Sequence, residues 1–167
     1  DPVGVGISEI RNNTTQNLLK YKPQVIRGNL SEIKAIANLN GILEECTTAK
    51  GVDVAETDII NENTINNTTT LVKNIAKTLN TTLAVSGQID IISNGEETYV
   101  IRNGHPMLSD ITGSGCMLGC IMASYAAITT PIMAATTAAA VMAIAGEVAN
   151  QKVAYHKKAT GTFRSEL

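Results

Sequence analysis

The segment Gln24-Val25-Ile26-Arg27-Gly28-Asn29-Leu30-Ser31-Glu32 predicts a buried strand that leads directly into a helix. The short run 24–26 follows Pro23 and suits a strand covered on both faces of a parallel sheet. Asn29 then begins the helix, and Glu32 stands three residues later, in the position of a capping box. Apolar residues recur along one face of this helix until Gly41 ends it.

Outward from this segment, strand and helix patterns alternate along the chain. The predicted elements are a helix at 9–21 capped by Ser8, a loop at 46–63, a helix at 64–79, a strand at 82–85, and a hairpin of 89–92 with 98–101 around the turn Asn94-Gly95. This order predicts an α/β fold with helices layered on a sheet.

Residues 111–146 carry no charged side chain, so a membrane span has to be weighed. Pro131 divides the stretch into two predicted helices at 114–128 and 131–150, and both are rich in Ala, Ser and Thr. We interpret them as core helices of one domain covering residues 1–167. The opening residues Asp1-Pro2-Val3-Gly4-Val5-Gly6 look like the loop after a buried strand, so we expect the chain to be the C-terminal portion of a longer one.

Composition excludes several classes of function. The net charge of −2 and the 3% of aromatic residues give no support for a nucleic-acid binder. Three cysteines at wide spacing do not indicate a disulfide scaffold, and reduced thiols in the cytoplasm are the simpler interpretation. With two histidines and no close pairs of cysteine or histidine, we expect no zinc site.

The segment 110–119, Asp-Ile-Thr-Gly-Ser-Gly-Cys-Met-Leu-Gly, is the most informative for chemistry. A Gly-x-Gly run at the start of an apolar helix lets N–H groups and the helix dipole face an anion such as phosphate. The same pattern also suits a simple packing turn. Cys116 lies in the first helical turn, where it is either a base or nucleophile or a small core residue.

Other polar residues follow predicted strands, and ligands of open α/β sheets bind at the carboxyl ends of strands. The residues that converge on this edge are Asp1, Arg27, Asn29, Glu32, Ser86 and the turn 113–116. A guanidinium, a hydroxyl, an anion-binding turn and two carboxylates are what transfer of a phosphoryl group from a magnesium nucleotide needs. The alternative is that Arg27 and Glu32 form an ordinary surface pair.

Several motifs in a fixed order resemble those of the hydroxyethylthiazole kinase family, thiamine-pathway enzymes of the ribokinase-like superfamily. The motifs are Asp1-Pro2-Val3-Gly4-Val5-Gly6, Ile26-Arg27-Gly28-Asn29 with Glu32, Gly51-Val52-Asp53, Ser86-Gly87-Gln88-Ile89-Asp90, Asn103-Gly104-His105-Pro106 and Thr112-Gly113-Ser114-Gly115-Cys116. The resemblance runs over essentially the whole chain. It implies a ribokinase-like layered fold with a mostly parallel sheet, here without its N-terminal strands.

The resemblance also implies a reaction, in which ATP phosphorylates the alcohol of 4-methyl-5-(2-hydroxyethyl)thiazole. By that likeness Asp1 and Glu32 support Mg²⁺, and Arg27 and Ser86 contact the ATP phosphates. Gly113 borders the thiazole alcohol, and the sequence Gly113, Ser114, Gly115 and Cys116 forms the catalytic anion hole. The family further implies a homotrimer. Cysteine usage, net charge and the helix pattern of 111–146 lead us to expect a cytoplasmic protein with no membrane or nucleic-acid partner.

Two other functions compete with this one. Another ribokinase-like activity, such as hydroxymethylpyrimidine kinase, is disfavoured because that group carries Asp where this chain has Cys116. A catalytically inactive module that binds a nucleotide or a thiazole is the alternative from a different class, and the expected truncation favours it.

Overall fold

The computed structural model describes residues 1–43, 58–156 and 159–167. Their elements in chain order are α1 (Glu9–Leu19), β1 (Val25–Asn29), α2 (Leu30–Leu39), α3 (Ile65–Leu79), β2 (Thr82–Ser86), β3 (Asp90–Ser93), β4 (Thr98–Ile101), α4 (Ser114–Ala126), α5 (Pro131–His156) and α6 (Thr160–Glu166). The predicted order of helices and strands is confirmed. Most of the predicted loop 46–63, with Cys46 and the Gly51-Val52-Asp53 motif, lies outside the described residues.

The α/β class is confirmed, but the sheet is mixed and the expectation of a mostly parallel sheet is not confirmed. Its four strands lie in the order β1-β2-β3-β4. β1 and β2 are parallel, whereas β2 and β3 are antiparallel. The physical reason is the short connection at 87–89, because so few residues can join only antiparallel neighbours.

The described chain divides into two compact units, Asp1–Val100 and Ile101–Leu167. The core of the first unit is formed by the apolar faces of α2 and α3 against the strands, and Ile33, Ile36, Val72 and Leu83 are completely buried there. Both predicted turns of this unit are confirmed by left-handed glycines, Gly41 after α2 and Gly95 in the β3–β4 hairpin.

In the second unit, Phe163 of α6 is fully buried in a small core with Ile111, Ala149 and Val153. Pro131 begins α5, as predicted, and this helix continues beyond the predicted end at residue 150. By length and composition alone, the stretch Pro131–Val153 could cross a membrane, with a mean hydropathy of 1.7 and half of its window buried. Buried core helices of soluble proteins have the same properties.

The motif Asn103-Gly104-His105-Pro106 has a visible structural role in the second unit. A Glu147 carboxylate oxygen on α5 accepts hydrogen bonds from the Asn103 side chain at 3.1 Å and from the Gly104 N–H at 2.9 Å. His105 Nδ1 accepts the N–H of Met107 at 3.2 Å and so caps the short 3-10 helix Pro106–Leu108. These bonds fix the segment between β4 and α4 onto α5.

Candidate functional site

The parallel register of β1 and β2 brings their last residues side by side. Asn29 pairs with Ser86, and Arg27 pairs with Ala84. Polar side chains from two strands therefore meet at one edge of the sheet, the edge where open α/β folds bind ligands. The sequence-based prediction that Arg27, Asn29 and Ser86 share this edge is supported by the register.

The guanidinium of Arg27 is held between a carboxylate and a hydroxyl. Its Nη1 lies 3.0 Å from Asp1 Oδ2, and its Nη2 donates to Ser86 Oγ at 3.0 Å. Ser86 Oγ in turn lies 3.4 Å from the carbonyl oxygen of Gly28. The Arg27 and Asp1 side chains are 18% and 21% exposed, so the positive charge is fixed in direction yet still reachable from solvent. A fixed and accessible guanidinium is suited to bind phosphate.

Glu32 joins the first turn of α2 to the loop that carries Asp1. One carboxylate oxygen accepts the N–H of Asn29 and the other accepts the N–H of Gly4, both at 2.8 Å. The Asn29 side chain accepts the N–H of Glu32 at 2.9 Å, which completes the predicted capping box. Glu32 is buried, and a buried carboxylate is stabilised by such charge-assisted hydrogen bonds.

Two glycines lie next to the Glu32 carboxylate, one because of close packing and one because of its backbone conformation. A Cβ atom at Gly28 would lie 3.1 Å from Glu32 Oε2. Gly4 adopts a left-handed conformation with φ of +70°, which lets the loop turn its N–H toward Glu32. The sequence therefore builds two neighbouring sets of contacts, one joining Arg27 to Asp1 and Ser86 and one joining Glu32 to the N–H groups of Gly4 and Asn29.

Asp90 is a further polar residue of this edge, and sequence reasoning assigned it no role. Its Oδ1 accepts the N–H of Gly87 at 2.9 Å, which closes the connection between β2 and β3. Burial raises the pKa of Asp90 to about 6, although the Gly87 N–H and the positive charge of Arg27 both act against this rise. The sequence did contain a signal for this role. Asp90 stands at the start of a strand, three residues after Gly87, which itself follows the hydroxyl residue Ser86.

The predicted Gly113–Cys116 turn lies in the second unit, at the start of α4. Gly113 is the N-cap and has a left-handed φ of +94°, so the predicted helix start is confirmed. Hydrogen bonding of the helix begins with the Met117 N–H, which donates to the Gly113 carbonyl at 2.9 Å. Of the N–H groups ahead of that bond, the Ser114 N–H donates to the Ile111 carbonyl at 3.3 Å, whereas those of Gly115 and Cys116 are not needed by the helix and can face an anion. Cys116 is an exposed free thiol, so its interpretation as a buried core residue is wrong.

The structure thus brings together Asp1, Arg27, Glu32 and Ser86 in the first unit. The interpretation of Arg27 and Glu32 as an ordinary surface pair is wrong, because Glu32 is buried and its oxygens bind backbone N–H groups. Gly113, Ser114, Gly115 and Cys116 form a second group, which the second unit carries.

Comparison with known proteins extends over the whole chain. The model of the hydroxyethylthiazole kinase family matches residues 1–167. Hydroxyethylthiazole kinase 1 of Methanosphaera stadtmanae is 58% identical over 164 residues, and the hydroxyethylthiazole kinase of Methanobrevibacter smithii is 48% identical over 168 residues. A solved structure of a hydroxyethylthiazole kinase protein from Pyrococcus horikoshii is 28% identical, covers 99% of this chain and has a TM-score of 0.76.

These alignments cover nearly all of this chain but only part of each relative. The chain spans 58% of the length of each of the two archaeal kinases and 55% of the solved chain. The family match over residues 1–167 agrees with the resemblance inferred from the order of the motifs, and the solved structure agrees with the α/β fold. The chain belongs to the hydroxyethylthiazole kinase family.

Proposed function

We propose that this chain phosphorylates the primary alcohol of 4-methyl-5-(2-hydroxyethyl)thiazole with ATP, yielding the thiazole monophosphate and ADP for thiamine biosynthesis or salvage. The observation that carries the proposal is the family match over residues 1–167. The α/β fold alone would not support it, since one fold hosts many functions.

Arg27 and Ser86 are the proposed contacts of the ATP phosphates. Arg27 has a fixed direction because Asp1 and Ser86 bind its two terminal nitrogens, each at 3.0 Å. A charge fixed before substrate arrives does not have to reorganise as negative charge develops on the transferring group. The Ser86 hydroxyl accepts from Arg27 and donates to the Gly28 carbonyl over a long distance of 3.4 Å, and rotation of its O–H would let it donate to a phosphate oxygen instead.

The turn Gly113–Cys116 is proposed to bind the transferring phosphoryl group. Its support is the left-handed Gly113 and the N–H groups of Gly115 and Cys116, which precede the first helical hydrogen bond of α4. In this proposal the substrate alcohol lies beside Gly113 and attacks the γ-phosphorus, while the bond to the oxygen bridging the β- and γ-phosphates breaks. Cys116 is the proposed acceptor of the proton that the alcohol loses.

The carboxylates fit a hydrated Mg²⁺ delivered with the nucleotide. Among residues 1–43, 58–156 and 159–167, no group of three or more His, Cys, Asp or Glu side chains could enclose a metal. Mg²⁺ usually binds through one or two carboxylates, with phosphates and water completing its coordination, so Asp1 and Glu32 are sufficient donors. Each Glu32 oxygen accepts one N–H and keeps a further lone pair. Bound there, Mg²⁺ would neutralise phosphate charge.

The remaining parts of the proposal concern the extent of the domain, the oligomeric state and the cellular location. We propose one kinase domain over residues 1–167, which the extent of the family match supports. We also propose a homotrimer in the cytoplasm, without membrane or nucleic-acid partners, in line with the net charge of −2. Sedimentation of the purified chain tests the trimer directly.

The test of function is release of ADP from ATP and Mg²⁺ in the presence of the thiazole alcohol, with hydroxymethylpyrimidine as the competing substrate. Calorimetric titration with ATP runs in parallel. We expect turnover with the thiazole alcohol, and ATP binding without turnover would instead identify an inactive binding module.

Cys116 and Cys120 provide a matched pair of variants, since both are exposed free thiols on α4. Cys116→Ala should lower kcat about 10²- to 10⁴-fold if this side chain is the general base. Cys120→Ala should leave kcat unchanged. Equal kcat values in the two variants would remove Cys116 from proton transfer.

A further inference from the structure

The connection between β2 and β3 contains a side chain whose hydrogen bond fixes the backbone next to Ser86. Asp90 begins β3, and its Oδ1 accepts the Gly87 N–H at 2.9 Å. Ser86 is the last residue of β2, so the peptide that Asp90 holds is the one directly after it. We propose that Asp90 is a positioning residue, which orients Ser86 and Arg27 for the ATP phosphates by fixing the Ser86–Gly87 peptide.

The first step of the argument is the geometry on either side of that peptide. Ser86 Oγ is positioned by Arg27 Nη2 at 3.0 Å and by the Gly28 carbonyl at 3.4 Å. These bonds fix the position of the hydroxyl only if the backbone of Ser86 keeps one conformation, because a change in that backbone would move the side chain. Pairing with Asn29 of β1 restrains Ser86 on one side, and Asp90 adds a constraint on the peptide that follows it.

The second step is that the residues between Ser86 and Asp90 lie outside the strand pairing. Gly87 and Gln88 are exposed, whereas Ile89 is buried. Val85 pairs with Ile91, so only residues 86–90 cross between the strands. Glycine has more accessible backbone conformations than any other residue, so the Gly87 peptide would rotate readily without an acceptor for its N–H.

The third step concerns charge. Arg27 lies close enough to act on the ionisation of Asp90, so this carboxylate shares the field of the phosphate-binding guanidinium. The effect of the Asp90 hydrogen bond can be separated from the effect of its charge with two variants. Asp90→Asn keeps an oxygen for the Gly87 N–H and removes the charge, whereas Asp90→Ala removes both.

Asn94 provides the matched control. Its Oδ1 accepts the N–H groups of Glu96 and Glu97 at 2.9 Å and 2.8 Å, and so closes the β3–β4 turn as Asp90 closes the β2–β3 connection. Asn94→Ala thus removes a side-chain acceptor of the same kind from a turn that has no proposed part in ATP binding.

The experiment measures kcat, KM for ATP, KM for the thiazole alcohol and ATP affinity by calorimetry, with the full chain at pH 8. Loss of one hydrogen bond predicts that Asp90→Ala raises KM for ATP about 3- to 10-fold, with a smaller change in kcat and none in KM for the alcohol. Asp90→Asn and Asn94→Ala should stay within about 2-fold of wild type, since they keep this hydrogen bond.

A second variant guards against poor folding of Asp90→Ala. Asp90→Glu keeps the charge but displaces the carboxylate by one methylene group, so it should raise KM for ATP in the same way. Wild-type KM for ATP in Asp90→Glu, or equal defects in Asp90→Asn and Asp90→Ala, would overturn the proposal.

This inference rests on the proposed function, and the two fail in different ways. If the wild-type chain neither binds nor hydrolyses ATP, the proposed function is wrong and this role of Asp90 is wrong with it. If the wild type binds ATP and the Asp90 variants bind it equally well, only the role of Asp90 is wrong.

Discussion

The Arg27 guanidinium donates to the Ser86 hydroxyl at 3.0 Å, although the two residues are 59 positions apart in the sequence. Parallel pairing of β1 with β2 makes this contact possible, because Asn29 and Ser86 end their strands side by side. Asp1 binds the other terminal nitrogen of the same guanidinium. A charge fixed in this way is the feature from which the site is built.

Arg27→Ala should lower kcat by two orders of magnitude or more, because the variant lacks the charge that stabilises the transferring phosphoryl group. Arg27→Lys should recover only part of this loss, since an ammonium group cannot bind Asp1 and Ser86 with two separate nitrogens. Steady-state assays of ADP release measure both variants.

The control for these variants is Arg164→Ala, which removes an exposed arginine from the last turn of α6. Its kcat should equal that of the wild type. A kcat of Arg27→Ala within a few-fold of wild type would show that this guanidinium takes no part in the transfer.

Glu32 is expected to contribute to stability as well as to the proposed metal site. Glu32→Ala leaves the N–H groups of Gly4 and Asn29 without their acceptor, so the free energy of unfolding should fall by about 2–4 kcal/mol. Glu32→Gln keeps one acceptor oxygen, so its free energy of unfolding should fall by less. Urea denaturation at pH 7 gives both values.

Glu96→Ala is the comparison for Glu32, because Glu96 is exposed in the β3–β4 turn. Its free energy of unfolding should differ from wild type by less than about 0.5 kcal/mol. If Glu32→Ala changed the free energy of unfolding as little as Glu96→Ala, the bonds that join α2 to the Gly4 loop would not stabilise the fold.

Gly113 and Gly119 should respond in opposite directions to alanine. Neither site has an atom within 4 Å of an added Cβ among the described residues, so a steric clash affects neither variant. Gly113 has φ of +94°, and Gly113→Ala should cost about 1–3 kcal/mol of backbone strain. Gly119 lies inside α4, where Gly119→Ala should add about 0.5–1 kcal/mol of stability.

Thermal unfolding of the two glycine variants distinguishes these effects. A lower Tm for Gly113→Ala and a higher Tm for Gly119→Ala are expected. Equal shifts of the same sign would contradict the assignment of strain to the left-handed turn.

Local patterns predicted much of this fold. The capping box of Asn29 and Glu32 and the Asn94-Gly95 turn are short-range signals, since each depends on residues at most three positions apart. Pro131 is a similar local signal, and it begins α5 as expected. The polar edge followed from a general rule, because parallel strands end on the same side.

Long-range contacts could not be predicted in this way. The bond from the Gly4 N–H to Glu32 spans 28 residues, and no periodicity of the sequence indicates it. The antiparallel pairing of β2 with β3 was indicated by the short gap between the predicted strands 82–85 and 89–92, whereas the expected mostly parallel sheet came from the family resemblance. The acceptor role of Asp90 arises from that same tight connection.

The ionisation of Asp90 predicts a dependence of stability on pH. Burial raises its pKa to about 6 in the folded state, against 3.8 for an unperturbed aspartate. Between these two pH values the folded state binds the proton more tightly than the unfolded chain, so stability falls as pH rises from about 4 to about 6. Above about pH 6 the carboxylate is charged in both the folded and the unfolded state, so the folded state is destabilised by the full free energy of burying that charge.

Asp90→Asn removes this titration while keeping an acceptor for the Gly87 N–H. Relative to wild type, the free energy of unfolding of this variant should be about 2–3 kcal/mol higher at pH 8 and similar at pH 4. Urea denaturation of both proteins across this range measures the difference. A difference that stays constant from pH 4 to pH 8 would show that Asp90 titrates alike in the folded and unfolded chains.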